Sequence, residues 1–167
     1  EADYENVAKA LWESLKDEVG DAPLILMGHG TEHAADGSYA ILETAIRNYA
    51  DHEIYIATVE GAVTIEDVIA RMQKKHVSST NKKMSNQRVV VTPFMLVAGD
   101  HANNDMAGGM HEAENGEPEE DSFAGKLQAA GYTPDCIIRG IGEYPAIREI
   151  YMAHLRRKTS EVFSENN

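Results

Sequence analysis

Only one cysteine, Cys136, occurs in 167 residues, so an internal disulfide is impossible. It sits in the apolar run Cys136-Ile137-Ile138, which predicts a packing role. Basic residues are scarce: 15 Lys and Arg stand against 28 Asp and Glu, for a formal charge of −13. Phosphate backbones are held by clusters of Lys and Arg, so this balance argues against a nucleic-acid partner. No apolar run approaches the roughly 18 residues of a membrane span, and no signal-peptide pattern is present. The expectation is a cytoplasmic chain with no membrane partner. Neither Gly-x-Ser-x-Gly nor Gly-x-x-x-x-Gly-Lys-Ser/Thr occurs, which argues against a serine hydrolase or a P-loop enzyme. No internal repeat is visible. The chain opens on Glu1-Ala2 rather than Met, which predicts a processed product or a piece of a longer one.

What is present fits an ordinary globular domain, with 43% hydrophobic and 26% charged residues. The length allows about one domain with a sizeable core. Part of the negative charge is local: Glu112, Glu114, Glu117, Glu119, Glu120 and Asp121 fall in one short acidic block. Such a block reads as a solvated loop or insertion.

Along the chain, helix and strand patterns alternate. Val7, Ala8, Leu11, Trp12 and Leu15 recur at helical spacing and predict an amphipathic helix over 4–18. Asp21-Ala22-Pro23 breaks it, and a strand follows at Leu24–Met27. A helix is expected from about Asp36 to Tyr49, with Tyr39, Leu42, Glu43 and Ile46 on a mixed face. The second strand, near 53–59, leads to Thr64, a good N-cap with Asp67 three residues on, and a helix to Lys75. After the polar stretch 78–83, the third strand is read as Val89–Val97. Residues 98–120 look irregular. A helix from Asp121 to Ala130 ends at Gly131, a normal residue just past a helix. The fourth strand is placed at Asp135–Arg139, the last helix from Glu143 to about Arg157, and a frayed tail from Ser160.

Four strands alternating with helices imply βαβ units with right-handed crossovers. The predicted fold is α/β: a flavodoxin-like, doubly wound, four-stranded parallel sheet flanked by helices. The usual strand order for this class is 2-1-3-4. The domain reading is a junction helix at 1–20, the α/β domain at 21–158 with an acidic insertion at about 108–120, and a tail at 159–167.

Open α/β sheets bind ligands at the carboxyl ends of their strands. Three candidate metal ligands fall there: His29 in Gly28-His29-Gly30, Glu60 before Gly61, and His101 after Ala98-Gly99-Asp100. Each alone has a duller reading, as a loop hydrogen-bonding group, a solvated carboxylate or a helix cap. Together, two imidazoles and a carboxylate suit Co²⁺, Fe²⁺, Ni²⁺ or Zn²⁺, and three protein ligands leave a coordination position open. An Asp100–His101 pair could orient the imidazole, although neighbours in sequence rarely face each other. His33, His52, His76, His111 and His154 read as loop, surface or helix-end residues. Gly140-Ile141-Gly142-Glu143 is a fragment of a dinucleotide fingerprint, but it is incomplete and follows the last strand rather than the first.

The longer motifs around these residues are recognisable. Met27-Gly28-His29-Gly30-Thr31-Glu32-His33, Thr58-Val59-Glu60-Gly61, Pro93 to Ala107, and Gly140 to Arg148 together resemble the anaerobic cobalt chelatases, the sirohydrochlorin cobaltochelatases of the class II chelatase superfamily. The most specific part is Leu96-Val97-Ala98-Gly99-Asp100-His101-Ala102-Asn103-Asn104-Asp105-Met106. The resemblance implies a lyase that forms metal–nitrogen bonds, inserting Co²⁺ into sirohydrochlorin in cobalamin biosynthesis; some relatives insert Fe²⁺. It carries the metal-binding histidines onto His29 and His101 and the acidic partner onto Glu60. It also implies that the chain is the carboxyl-terminal half, with the tetrapyrrole in a cleft against a similarly folded amino-terminal half or a second copy of this chain.

Metallation must remove two pyrrole N–H protons while the ion changes ligands. His29, His101 and Glu60 are expected to hold the ion and pass it to the ring, and the group not ligating at that moment to accept a proton. The division of roles stays open. The substrate that the resemblance implies is a polycarboxylate, so helix amino termini at the strand edge, with Arg139 and Arg148, are expected to offset the negative field. Two other readings compete: a metal-binding or delivery module without a tetrapyrrole, and a siroheme-type ferrochelatase. A nucleotide-binding flavodoxin-like domain is a third, but Glu32 puts a carboxylate where a phosphate would be cradled.

Overall fold

The structure is a computed structural model and describes residues 2–79, 87–110 and 116–165. Its elements are α1 (Ala2–Val19), β1 (Leu24–Gly28), α2 (Ser38–Ala50), β2 (Ile54–Thr58), α3 (Ile65–Ser79), β3 (Gln87–Pro93), α4 (Phe123–Ala129), β4 (Tyr132–Cys136) and α5 (Pro145–Glu165). The strands form one parallel sheet in the order β2-β1-β3-β4. Leu24 pairs with Ile54 on one side and Val90 on the other, and Val91 pairs with Cys136.

Alternation along the strands builds a core on each face. Leu24, Leu26, Ile54, Ile56 and Val90 face Ala8, Leu11, Leu15 and Val19 of α1, Leu42 and Ile46 of α2, and Ile147 of α5. Ile25, Met27, Tyr55, Val89 and Val91 face Ile65, Val68 and Met72 of α3, with Phe123 and Leu127 of α4. Helices on both faces make a doubly wound α/β unit, as the alternating pattern predicted. Central strand β1 is buried along its whole length, which is why it reads as an unbroken apolar run.

The outer edge of β2 is closed by a buried acid. Glu43 of α2 accepts the Ile56 backbone N–H at 2.8 Å, a donor that no neighbouring strand satisfies. Arg47 pairs with its carboxylate at 3.2 Å, and Arg71 of α3 reaches the same group. Both guanidinium groups lie over the Tyr55 ring, at 5.1 and 4.9 Å from its centroid. Burial, with a hydrogen bond to Glu53, pushes the Tyr55 hydroxyl above the usual tyrosine range.

Several boundaries differ from the sequence reading. β3 stops at Pro93 rather than Val97, because Met95 and Leu96 turn their carbonyls to Ile141 N–H (2.8 Å) and Gly142 N–H (3.0 Å). That contact explains Gly140-Ile141-Gly142: a Cβ on Gly140 would meet the Val97 and Ala98 backbone. The motif is a packing device. β4 begins at Tyr132, ahead of Pro134, since an edge strand tolerates a residue without an N–H. Ile137 N–H still bonds Val91 O at 2.9 Å, so the pairing fades over Ile137 rather than stopping sharply. A 3₁₀ turn, Ala34–Gly37, precedes α2. Thr64 does bond the Asp67 N–H (3.3 Å) at the start of α3, as expected. Ser122 caps α4 through the Gly125 N–H at 3.0 Å, two residues later than the predicted start. α5 runs on to Glu165, so the tail expected from Ser160 is helical for most of its length.

Cys136 is mostly withdrawn from solvent. Burial first, and the neighbouring Asp135 charge second, push its thiol up to about 12. It is a packing residue, protonated and unreactive at neutral pH. Of the acidic block, Glu117, Glu119, Glu120 and Asp121 are exposed, while Glu112, Glu114 and His111 lie outside the described residues. The polar stretch from Thr80 to Asn86 and the His76 side chain also lie outside them. No helix among the described residues is long and apolar enough to cross a membrane.

Candidate metal site

His29 and Glu60 are brought together by the sheet. Beyond the last ladder pair, Gly28 with Thr58, the backbone pairing continues: Val59 N–H donates to Gly28 O at 3.1 Å and Glu60 N–H to His29 O at 2.7 Å. His29 and Glu60 therefore face each other across an extension of the β1–β2 ladder. Gly30 has φ +84° and its α-carbon lies against the Gly61 backbone, so a side chain there would both strain and collide.

His101 arrives by a different route from the one expected. It is not on a strand end but at the head of a π-helical turn, Ala102–Met106. The sequence reading made 98–120 irregular because Asn and Asp dominate it. Those polar side chains instead bond along the turn, Asn103 Nδ2 to Gly99 O (3.0 Å) and Asn104 Nδ2 to Asp100 Oδ1 (2.7 Å). The overlooked signal was Ala102 and Met106, four apart and both fully buried. π-helical turns occur often at functional sites.

The two imidazoles meet edge to face, with centroids 4.8 Å apart and planes at 88°. Two imidazoles sharing one ion through metal–nitrogen bonds of about 2.1 Å would have centroids about 5 Å apart. The observed centroid spacing is close to that value.

Their tautomers follow from their partners. His101 Nδ1 lies 2.6 Å from Asp105 Oδ2, and an ionised carboxylate can only accept, so Nδ1 carries a proton and, in the neutral ring, Nε2 keeps the lone pair. His29 Nδ1 lies 3.1 Å from the Gly30 carbonyl oxygen, which fixes the same tautomer. Both Nε2 atoms are thus left as potential ligands. Asp105 was missed in the sequence, where Asp100 looked like the partner. Its signal was the i,i+4 spacing, invisible once the segment was read as irregular.

Glu60 lies beside His29. Its Oε2 lies 3.7 Å from His29 Nδ1, the nitrogen that also contacts the Gly30 carbonyl, and its side chain is 63% exposed. Among the described residues, no three His, Cys, Asp or Glu side chains are grouped to hold a metal ion. His29 and His101 stand as a pair, with the exposed Glu60 carboxylate beside His29.

Three other described histidines have other work. His33 caps the 3₁₀ turn, accepting the Ala35 N–H at 3.1 Å. His52 bonds Ala22 O at 2.8 Å and packs on Trp12, and His154 pairs with Asp3 at 3.2 Å. Arg139 is held by Glu18 at 2.7 Å, so it is not a free cation. Arg148 donates through Nη1 to Gly142 O (3.1 Å) and Glu143 O (2.7 Å) and stays exposed. Beside it, Leu96 and Val97 are 57% and 71% exposed and line an open groove with Tyr151 and Met152 of α5.

The Asp105 contact makes a direct prediction. Asp105→Asn keeps an acceptor for Nδ1–H but removes the charge that strengthens Nε2 as a donor atom. Cobalt affinity, read by optical titration, is expected to fall roughly 10–100-fold with the fold intact. An unchanged titration would show that Asp105 does not tune the ligand.

The profile of the family described as cobalt chelatase (CbiK) matches residues 1–160. The chain is 30% identical over 142 residues to the sirohydrochlorin cobaltochelatase CbiKC of Nitratidesulfovibrio vulgaris, covering 85% of this chain and 44% of that protein. It is 31% identical over 166 residues to a sirohydrochlorin cobaltochelatase of Salmonella typhimurium, covering 98% of this chain and 54% of that one. The chain spans about half the length of these curated relatives.

Proposed function

The chain belongs to the cobalt chelatase (CbiK) family, and on that premise we propose that it is the metal-handling half of an enzyme that inserts Co²⁺ into sirohydrochlorin. The observation that carries the reading is the histidine pair: two imidazoles 4.8 Å apart, each with Nδ1 bonded to an acceptor and Nε2 left over. The same donors would accept Fe²⁺, Ni²⁺ or Zn²⁺ as substitute substrates.

The roles divide as follows. His29 and His101 hold the ion through Nε2 and leave its other positions open for the pyrrole nitrogens. An ion seated over the ring polarises the pyrrole N–H groups, as bound cations lower the pKa of their ligands. Glu60, with a largely exposed side chain, takes up one of the two released protons, and the other leaves to solvent water. Leu96 and Val97 belong to the loop that leads through Ala98 to His101, and they offer apolar surface to a flat macrocycle. Arg148, exposed on the same groove, offers a cation to a peripheral carboxylate.

An open histidine pair on one wall needs an opposite wall to enclose a tetrapyrrole. We assign that wall to a second α/β half, either an amino-terminal segment or a second copy of this chain. The relatives' lengths, about twice that of this chain, support it.

The test is spectral. Co²⁺ added to the chain with sirohydrochlorin should speed the loss of free-tetrapyrrole absorbance above the uncatalysed rate, alone or after a second half is supplied. Tight cobalt binding with no acceleration in either case would make the chain a metal-binding module rather than a chelatase.

A further inference from the structure

Asp36 has no place in the chemistry above, yet its carboxylate joins both loops that carry it. One oxygen, Oδ1, accepts the Thr31 N–H at 3.1 Å, two residues past His29. The other, Oδ2, accepts the Ala62 N–H at 3.0 Å, two residues past Glu60. The donors lie on different loops, after β1 and after β2, and each takes its own oxygen. The contact is close on the β2 side, where a Cβ on Gly61 would lie 2.5 Å from Oδ1. Tyr39, in the next helical turn, accepts the Gly30 N–H at 3.2 Å.

We infer that Asp36 is a positioning residue that sets the His29–Glu60 geometry by tying the two loops to each other; this rests on the metal-handling role proposed for those side chains. Past Glu60, the parallel ladder has ended and nothing in regular structure holds the two loops together. The last ladder-type bond is Glu60 N–H to His29 O, at 2.7 Å. The carboxylate supplies the next two contacts, and bonds from backbone N–H to an ionised acid are about twice as strong as neutral ones. The effect of Asp36 is transmitted through backbone, where misplacing a reacting group by about 1 Å can cost about 100-fold.

The test is made on the chain as it stands, with Co²⁺ alone as the probe and its visible d–d spectrum as the signature. Asp36→Ala should weaken cobalt binding about tenfold or more and alter that spectrum. Asp36→Asn, which keeps one acceptor oxygen, should fall between parent and alanine. Glu32→Gln removes a neighbouring negative charge without touching the tie and should leave affinity within about twofold. Amide exchange at Thr31 and Ala62 should be slow in the parent, accelerate together in Asp36→Ala and accelerate at one of the two in Asp36→Asn, a local change that a general loss of stability would not produce. Parent-like affinity and spectrum in Asp36→Ala would overturn the inference, as would an equal loss in Glu32→Gln. If Asp36→Ala does not fold, Asp36→Asn carries the same comparison. A parent chain with no saturable cobalt spectrum would instead sink the metal-handling reading, and amide exchange alone would then decide whether Asp36 ties the loops.

Discussion

Replacing either His29 or His101 by alanine is expected to abolish cobalt binding and insertion by this chain. Each substitution removes one of the two Nε2 donors, and one remaining imidazole cannot hold the ion against water. The loss should exceed the roughly 10–100-fold expected for losing a supporting group such as Asp105. Both side chains are well exposed, at 46% and 38%, and neither closes a core contact. Stability, read by thermal denaturation, should therefore move by no more than the usual surface effect of about 0.5 kcal/mol. Glu60→Gln separates the roles: it should leave cobalt binding largely intact while slowing insertion. Cobalt titration and the tetrapyrrole assay, run on the same three variants, check all of this. Unchanged insertion in both histidine variants would remove the histidine pair from the mechanism.

The second large effect concerns stability. Glu43→Ala should lower it by about 2–3 kcal/mol, somewhat less than the 3–5 typical of breaking a buried pair, because water can partly solvate the two arginines left behind. Arg71 is 40% exposed and Arg47 33%, whereas the Glu43 side chain is only 11% exposed. The substitution also strips the acceptor from the Ile56 N–H on the outer edge of β2. For a chain of this size the melting temperature should fall by roughly 5–10 °C. Glu43→Gln keeps an acceptor and the shape, so it should lose about half as much. Thermal denaturation decides the matter, and equal melting for parent and alanine variant would show that the acid contributes nothing net. Since Ile56 lies in the strand that delivers Glu60, loosening this edge should also raise the mobility of the Glu60 loop.

Much of this architecture is legible in the order of residues. Leu24–Met27, Ile54–Thr58 and Val89–Val91 are short apolar runs set between amphipathic patterns, and that alternation leaves a parallel sheet as its simple solution. Strand boundaries were less legible. Pro93 and Phe94-Met95-Leu96-Val97 look like one strand by composition, but the last residues turn away to meet Ile141 and Gly142, more than forty positions on. No local pattern contains that partner. The helical turn at 102–106 was hidden for another reason: its apolar face is only Ala102 and Met106, and the rest is Asn and Asp, residues common in loops.

His29, Glu60 and His101 could be picked out as candidate ligands from chain position, because a parallel sheet puts the carboxyl ends of its strands on one edge, and a βα loop follows each. Identity and approximate location are properties of the sequence for that reason. Which atoms face which is not. That His101 turns Nδ1 to Asp105, that Glu60 approaches His29 on its Nδ1 side, and that Asp36 spans two loops are decided by tertiary structure. Each depends on ångström-scale orientation of side chains from segments far apart in the chain. Periodicity and composition carry no information at that scale; only the packed backbone does.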